Sequence, residues 1–85
     1  MKIQLRFFAN IRERLASSGE VLVLDDSRHT VDDVRQLLIA RGEVWAEALA
    51  TGRALRMAYN QQIISGDMEL QDGGELAFFP PVTGG

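Results

Sequence analysis

Apolar and polar residues alternate at the beginning of the chain. Within residues 2–8, Ile3, Leu5 and Phe7 fall on one side of the alternation, and Phe8 falls on the other. A period of two is typical of a strand that buries one face and exposes the other. The chain is therefore predicted to open with a half-buried strand.

Later segments switch between the strand period and the helix period. Strands have side chains that alternate, whereas helices repeat their apolar face every three to four residues. On this basis the remaining predicted elements are a helix over 11–17, a strand over 20–24, a main helix from Thr30 to Gly42, a helical stretch over 43–50, strands over 55–59 and 61–65, and a last strand over 75–79.

Two positions carry signals for the start of a helix. Asn10 precedes Glu13 by three residues, which resembles a capping box and predicts the first helix. Thr30 is followed by Asp32 and Asp33, and negative charge in a first turn favours a helix N-terminus. Thr30 is therefore predicted to open the main helix.

The order of these elements predicts a fold class. Strands and helices in this succession indicate an α+β fold with a mixed sheet of about five strands and helices on one face. The pattern resembles the β-grasp, or ubiquitin-like, fold, in which the first and last strands are parallel central neighbours. The sheet order itself does not follow from periodicity. Residues 1–79 are expected to form this single domain, and residues 80–85 an extended tail.

Phe8 and Phe79 are predicted to share the solvent face of that sheet. Leu76 and Phe78 take the core side of the last strand, so Phe79 points the other way, as Phe8 does in the first strand. An exposed aromatic pair indicates a surface for a partner protein. The alternative is that one ring folds over the sheet edge as peripheral core.

The last six residues differ from the rest of the chain. Prolines lack the N–H that a strand needs, so Pro80 and Pro81 end the hydrogen-bonded ladder. Beyond the ladder, the chain continues as an extended segment. An extended segment of six residues reaches at most about 20 Å. It could place a terminal carboxylate, on Gly85, inside another protein's active site. The expected tail is Pro80, Pro81, Val82, Thr83, Gly84 and Gly85.

Composition narrows the function classes. The formal net charge is -3 and the nine basic residues are scattered, so nucleic acid is a poor candidate partner. No apolar run approaches the length needed to span a membrane, and a cytoplasmic location is expected. The absence of cysteine removes disulfides, thiolate metal sites and a persulfide on the chain. Sulfur carried by this protein would have to sit elsewhere.

The polar residues outside the tail do not predict a metal or catalytic site. His29 is the single histidine and is predicted to be a solvated loop residue. The acidic pairs at 25–26 and 32–33 lack the spacing of a calcium loop and are explained by a turn and a helix start.

The sequence resembles the small, sulfur-carrying subunits of molybdopterin synthase. The resemblance rests on the ending AFFPPVTGG, the opening RFFANIRERL and the middle VWAEALATGRALRMAYNQQIIS, and so covers essentially the whole chain. It implies that an E1-like enzyme uses ATP to adenylate the carboxylate of Gly85. A sulfur donor, a cysteine desulfurase or rhodanese-like protein, would then convert it to a thiocarboxylate.

The resemblance also implies partners for the later steps. The tail, Pro80 to Gly84, would enter the large synthase subunit and deliver sulfur to cyclic pyranopterin monophosphate, within a heterotetramer. Phe8 and Phe79 would fall at the docking surface, the catalytic lysines would belong to the large subunit, and no cofactor or metal would be bound permanently.

Three alternatives stay open at this point. The chain could carry sulfur in another pathway, such as thiamine synthesis or tRNA thiolation, because those carriers share the Gly-Gly end. It could be a ubiquitin-like interaction module with an unused tail. A self-contained enzyme is the least favoured, since the sequence lacks a nucleophile–base constellation.

Overall fold

The computed structural model describes residues 1–50 and 54–81, which form one mixed sheet with three helices. The strands are β1 (Lys2–Phe7), β2 (Gly19–Val23), β3 (Arg56–Tyr59), β4 (Gln62–Ile64) and β5 (Glu75–Phe79). The helices are α1 (Ala9–Leu15), α2 (Val31–Ile39) and α3 (Val44–Leu49).

The first and last strands form the centre of the sheet. The strand order is β2-β1-β5-β3-β4, and β1 and β5 run parallel with Phe7 opposite Phe78. β2 and β3 flank them as antiparallel neighbours. The predicted β-grasp arrangement is confirmed. Because β1 and β5 are parallel, both finish at the same edge of the sheet.

The core lies between the sheet and the helices. Ile3, Leu5 and Phe7 are at most 1% exposed, as the alternation in β1 predicted. Leu76 and Phe78 on β5 are fully buried, so the predicted parity of the last strand is also confirmed. The helices contribute six further large buried side chains, which are Ile11, Leu15, Val31, Val34, Leu38 and Leu49.

The predicted start of α1 was wrong. The N-cap is Phe8, with extended dihedral angles and no side-chain hydrogen bond, and Asn10 lies inside the helix. The Asn10–Glu13 pair therefore does not form a capping box. The helix begins as soon as β1 ends, because the amides of Ile11 and Arg12 donate to the Phe8 carbonyl. α1 thus packs directly beside the end of the central strands.

The start of α2 agrees with the sequence. The Thr30 side chain accepts from the Asp33 amide at 3.2 Å, and the Asp33 carboxylate accepts from the Thr30 amide at 2.9 Å. This reciprocal pair is a capping box, which stabilises a helix by satisfying two amides that would otherwise lack partners. α2 ends at Ile39, three residues before the predicted stop at Gly42.

β3 and β4 form a tight hairpin. Asn60 and Gln61 connect them, and both have positive φ, 50° and 69°. A two-residue turn with two positive φ angles matches the right-handed twist of the strands. The sequence predicted this pair of strands with Asn60 alone at the junction. Within residues 1–50 and 54–81, none of the helices has the length and apolar character needed to cross a membrane.

Candidate functional site

The candidate site lies at the sheet edge where β1 and β5 both end. The Phe8 amide donates to the Phe78 carbonyl at 3.2 Å, which continues the parallel ladder by one bond beyond β1. This bond brings Phe8 beside Phe79, the last residue of β5. The two aromatic residues singled out in the sequence therefore lie side by side at the point where the tail begins.

The two rings differ in exposure. Phe8 is 47% exposed, whereas Phe79 is half-buried. Both follow a core-facing residue, so both belong to the face of the sheet that the helices leave open. The structure places them together on this open face. Their role in binding a partner stays a prediction.

Small and apolar residues extend this surface across the sheet. Ala77 on β5 pairs with Ala58 on β3, and Ala58 pairs with Ile63 on β4. Ile63 is 72% exposed, the highest value among the exposed large hydrophobic residues described. These residues, with Phe8 and Phe79, are called the open-face patch below. The sequence did not predict that Ala58, Ala77 and Ile63 belong to this surface, because periodicity does not reveal which strands are neighbours.

An aromatic cluster lies behind the site, on the core side of the sheet. Phe7 stacks on Phe78 with ring centroids 5.8 Å apart, and meets the edge of Trp45 at 5.6 Å. Phe7 and Phe78 are buried, so the residues that follow them start from fixed positions. Leu49 is fully buried and Trp45 packs against the core cluster.

A salt bridge connects the edge strand β2 to the residues that follow α2. Both guanidinium nitrogens of Arg41 contact the Glu20 carboxylate, at 2.7 and 2.9 Å. The hydrogen bond from Arg41 is the main cause that lowers the pKa of Glu20, and the same bond raises the pKa of Arg41. The Arg41 guanidinium also lies 4.4 Å from the Trp45 ring centroid. This contact links the salt bridge to the aromatic cluster.

Arginines surround the base of the tail. Arg14 on α1 bonds Glu47 on α3 at 3.2 Å and lines a small cavity of about 60 Å³ together with Pro80. Arg56 is paired with Phe79 in the β3–β5 register. Positive charge therefore flanks the point where the chain leaves the sheet.

The tail itself is described only at its base. Pro80 and Pro81 are half-buried and belong to no strand, as expected of residues that end a ladder. The predicted tail residues Val82, Thr83, Gly84 and Gly85 lie outside the described residues.

His29 lies at the opposite end of the molecule, in the loop between β2 and α2. Its side chain is only 16% exposed, so the prediction of a solvated residue was wrong. The imidazole Nε2 lies 2.7 Å from Asp25 Oδ1, and Ser27 Oγ donates to the same carboxylate. The hydrogen bonds from Ser27, and then from His29, lower the pKa of Asp25 to about 2. Among the described residues, no group of three or more His, Cys, Asp or Glu side chains could hold a metal ion.

Comparison with known proteins gives a consistent set of matches. The ThiS family model matches residues 5–85. The molybdopterin synthase sulfur carrier subunit of Escherichia coli (strain K12) is 43% identical over 83 residues, which cover 98% of this chain and 99% of that protein. A solved complex of subunits 1 and 2 of molybdopterin-converting factor from Helicobacter pylori contains a chain with a TM-score of 0.70 and 26% identity, with full coverage of both chains. SAMP1 from Haloferax volcanii, 24% identical with a TM-score of 0.76 and full coverage, shares the fold.

Proposed function

The chain belongs to the ThiS family, and we propose that it is a sulfur carrier for molybdopterin synthesis whose working group is the carboxylate of Gly85. The observation that carries this proposal is the 43% identity to a protein named a sulfur carrier subunit, over 99% of that protein's length. The family match also extends to residue 85 and therefore includes the whole tail.

The proposed chemistry begins with activation of Gly85. A carboxylate resists attack by nucleophiles, so its oxygen first attacks the α-phosphorus of ATP in an E1-like enzyme, and pyrophosphate leaves. The outer sulfur of a persulfide on the donor protein then displaces AMP from the carbonyl carbon and forms an acyl disulfide. A thiol attacks the donor sulfur of that S–S bond, forms a disulfide with the donor and releases the sulfur that is bonded to the Gly85 carbonyl. The product is a thiocarboxylate, which needs no side chain of its own. This property suits a chain that has no cysteine.

The open-face patch supports a proposal for the partner. Ile63 is 72% exposed and Phe8 is 47% exposed on the same open face, and such apolar residues favour burial against another protein. We propose that the large subunit of molybdopterin synthase covers this surface, and that residues 80–84 carry the thiocarboxylate into its active site. The complex of subunits 1 and 2 from Helicobacter pylori supports a partner of this kind. Cyclic pyranopterin monophosphate would receive the sulfur there.

The length of the tail provides the test. Deleting Gly85, or adding one residue after it, moves the terminal carbonyl by roughly 3.3–3.6 Å along an extended chain. Reactive geometry tolerates a displacement of only about 1 Å before rates fall sharply. Both variants should therefore lose sulfur transfer in a molybdopterin synthesis assay, while their melting temperatures stay unchanged.

The assay separates the proposal from the simpler alternative. A ubiquitin-like interaction module with an unused tail would support the same synthesis rate with or without Gly85. A deletion variant that works at the normal rate would therefore contradict the proposed role of this carboxylate.

A further inference from the structure

The positions of the nucleophilic side chains carry an inference that rests on the proposed function. Lys2 is the single lysine among the 85 residues, beside eight arginines, and the chain has one histidine and no cysteine. An activated carbonyl on Gly85 would react with amines, thiols or imidazoles. Nucleophilic groups on this protein's own surface would therefore compete with sulfur for that carbonyl.

All three nitrogen nucleophiles lie at the end of the sheet opposite the tail. Lys2 begins β1 and is paired with Val23, the last residue of β2. The Met1 amine donates to the Leu24 carbonyl at 2.9 Å and to Asp26 at 3.1 Å. The His29 imidazole follows in the same β2–α2 loop and is occupied by Asp25. No described lysine, cysteine or histidine lies near Phe79.

Chain geometry separates these groups from the carbonyl. Lys2 precedes Phe8 by six residues of extended chain, or roughly 20 Å at about 3.3 Å per residue. Beyond Pro81, the four remaining residues reach at most about 14 Å. A lysine stem adds roughly 6 Å. The reach of the tail plus that of the lysine side chain equals the distance from Lys2 to Phe8 only when every residue is fully stretched. The effective concentration of Lys2 at Gly85 is therefore close to zero.

Two arginines lie at the base of the tail. Arg14 lines the same small cavity as Pro80, and Arg56 is paired with Phe79. A guanidinium keeps its proton in proteins, whereas a lysine amine can lose its proton and then becomes a nucleophile. Arginine therefore supplies positive charge beside the tail without an acyl acceptor.

We propose that Arg14 and Arg56 are specificity-determining residues: they keep the activated Gly85 carbonyl from acylating its own chain, so that sulfur is the nucleophile that reaches it. The reaction they prevent is an aminolysis. A lysine nitrogen at either position would attack the Gly85 carbonyl carbon, a C–N bond would form as the bond to the leaving group breaks, and the leaving group would depart with the proton lost by the amine. The product would be a lactam between the tail and the body.

The test uses the full chain with a thioester on Gly85, prepared by thiolysis of an intein fusion. This probe needs no activating enzyme. At low protein concentration and mildly alkaline pH, the wild-type thioester should hydrolyse to the acid. Arg14→Lys and Arg56→Lys keep the positive charge but add an amine, and should give a product lighter than the acid by one water. A short linker between two reacting groups gives an effective concentration of about 1 mM, so at least about tenfold more cyclic product than wild type is expected.

Arg28→Lys is the matched control. Arg28 lies in the β2–α2 loop, bonds Glu69 at 2.8 Å and has a side chain that is 80% exposed. The same change at that distant position should leave the wild-type product ratio unaltered. Lysine variants at positions 14 and 56 that hydrolyse like wild type would overturn the inference, and so would wild-type cyclisation or equal cyclisation of the position-28 variant.

The outcome is independent of the proposed function. Sulfur loading of wild type is measured separately, with the activating enzyme, ATP and a sulfur donor. Failure to load would contradict the function, whereas normal loading together with unreactive lysine variants would contradict the role of Arg14 and Arg56 alone.

Discussion

Phe8 and Phe79 occupy neighbouring positions but have different surroundings. Phe79 ends a central strand and has β3 on its far side, where Arg56 is its register partner. Phe8 leaves the sheet at once as the N-cap of α1, so fewer neighbours cover it and it is 47% exposed. Phe79 is therefore half-buried before any partner binds, and it is already ordered for binding.

Phe79→Ala should weaken binding of the synthase large subunit. A half-buried aromatic ring beside the exposed Phe8 has the properties of a hot spot, and its truncation should raise the binding free energy by about 2–4 kcal/mol. Titration calorimetry with the isolated large subunit measures this change. The domain should still unfold cooperatively, because the core-facing residues of β5 are Leu76 and Phe78.

Val23→Ala provides the control for that measurement. Val23 is 68% exposed on the same sheet face, but it lies at the end of β2 that is remote from the tail. It should bind with wild-type affinity. Unchanged affinity of Phe79→Ala together with loss of cooperative unfolding would instead place Phe79 in the core.

Glu20→Gln should lower stability in a pH-dependent way. The Arg41 bond lowers the pKa of Glu20 below its ordinary value of 4.5. A lowered pKa stabilises the folded state above pH 4.5, and this stabilisation is lost as pH falls through the folded-state value. For a partly exposed pair the loss at neutral pH should be about 1 kcal/mol.

Urea titrations of wild type and Glu20→Gln across acidic pH measure this effect. The difference in unfolding free energy between the two proteins should be constant above the ordinary pKa of glutamate and should shrink below it. A difference that stays constant down to strongly acidic pH would mean that the Glu20–Arg41 bond contributes nothing through charge.

At the scale of elements, every strand and helix of the described residues was predicted from the sequence, but not all of their boundaries were. The alternation of Ile3, Leu5 and Phe7 identified β1, and Thr30 identified the start of α2, because both signals are local. The start of α1 was missed because the Phe8 carbonyl accepts the first helical bonds directly, without a capping side chain. The Ala58–Ile63 part of the open-face patch was missed because it depends on long-range strand pairing.

Pro80 and Pro81 give a prediction at the same scale. Replacing both with glycine increases the conformations that must be lost when the tail enters a partner, at a cost of about 1–2 kcal/mol in binding. Affinity for the large subunit should fall by that amount. The melting temperature of the free protein should barely change, since neither proline belongs to a strand. Equal affinities would mean that the prolines only end β5.

At the scale of the whole molecule, the two ends of the sheet have different chemistry. The end remote from the tail holds the Lys2 and His29 nucleophiles and acidic residues such as Asp72, whose carboxylate accepts from the Lys2 amide at 2.7 Å. The tail end holds an open apolar surface flanked by Arg14 and Arg56. The sequence predicted a tail with an aromatic base, because Phe-Phe-Pro-Pro before Gly-Gly is a local signature. It did not reveal this separation, which arises from the parallel pairing of β1 with β5.

Whether Gly85 carries the sulfur is measured most directly by mass spectrometry of the intact chain after incubation with the activating enzyme, ATP and a sulfur donor. The mass should increase by the exchange of one oxygen for one sulfur. Fragmentation of the C-terminal peptide should assign that increase to Gly85, and omission of ATP should abolish it. An unchanged mass in the complete reaction, or an added sulfur on any residue other than Gly85, would contradict the proposed role of Gly85.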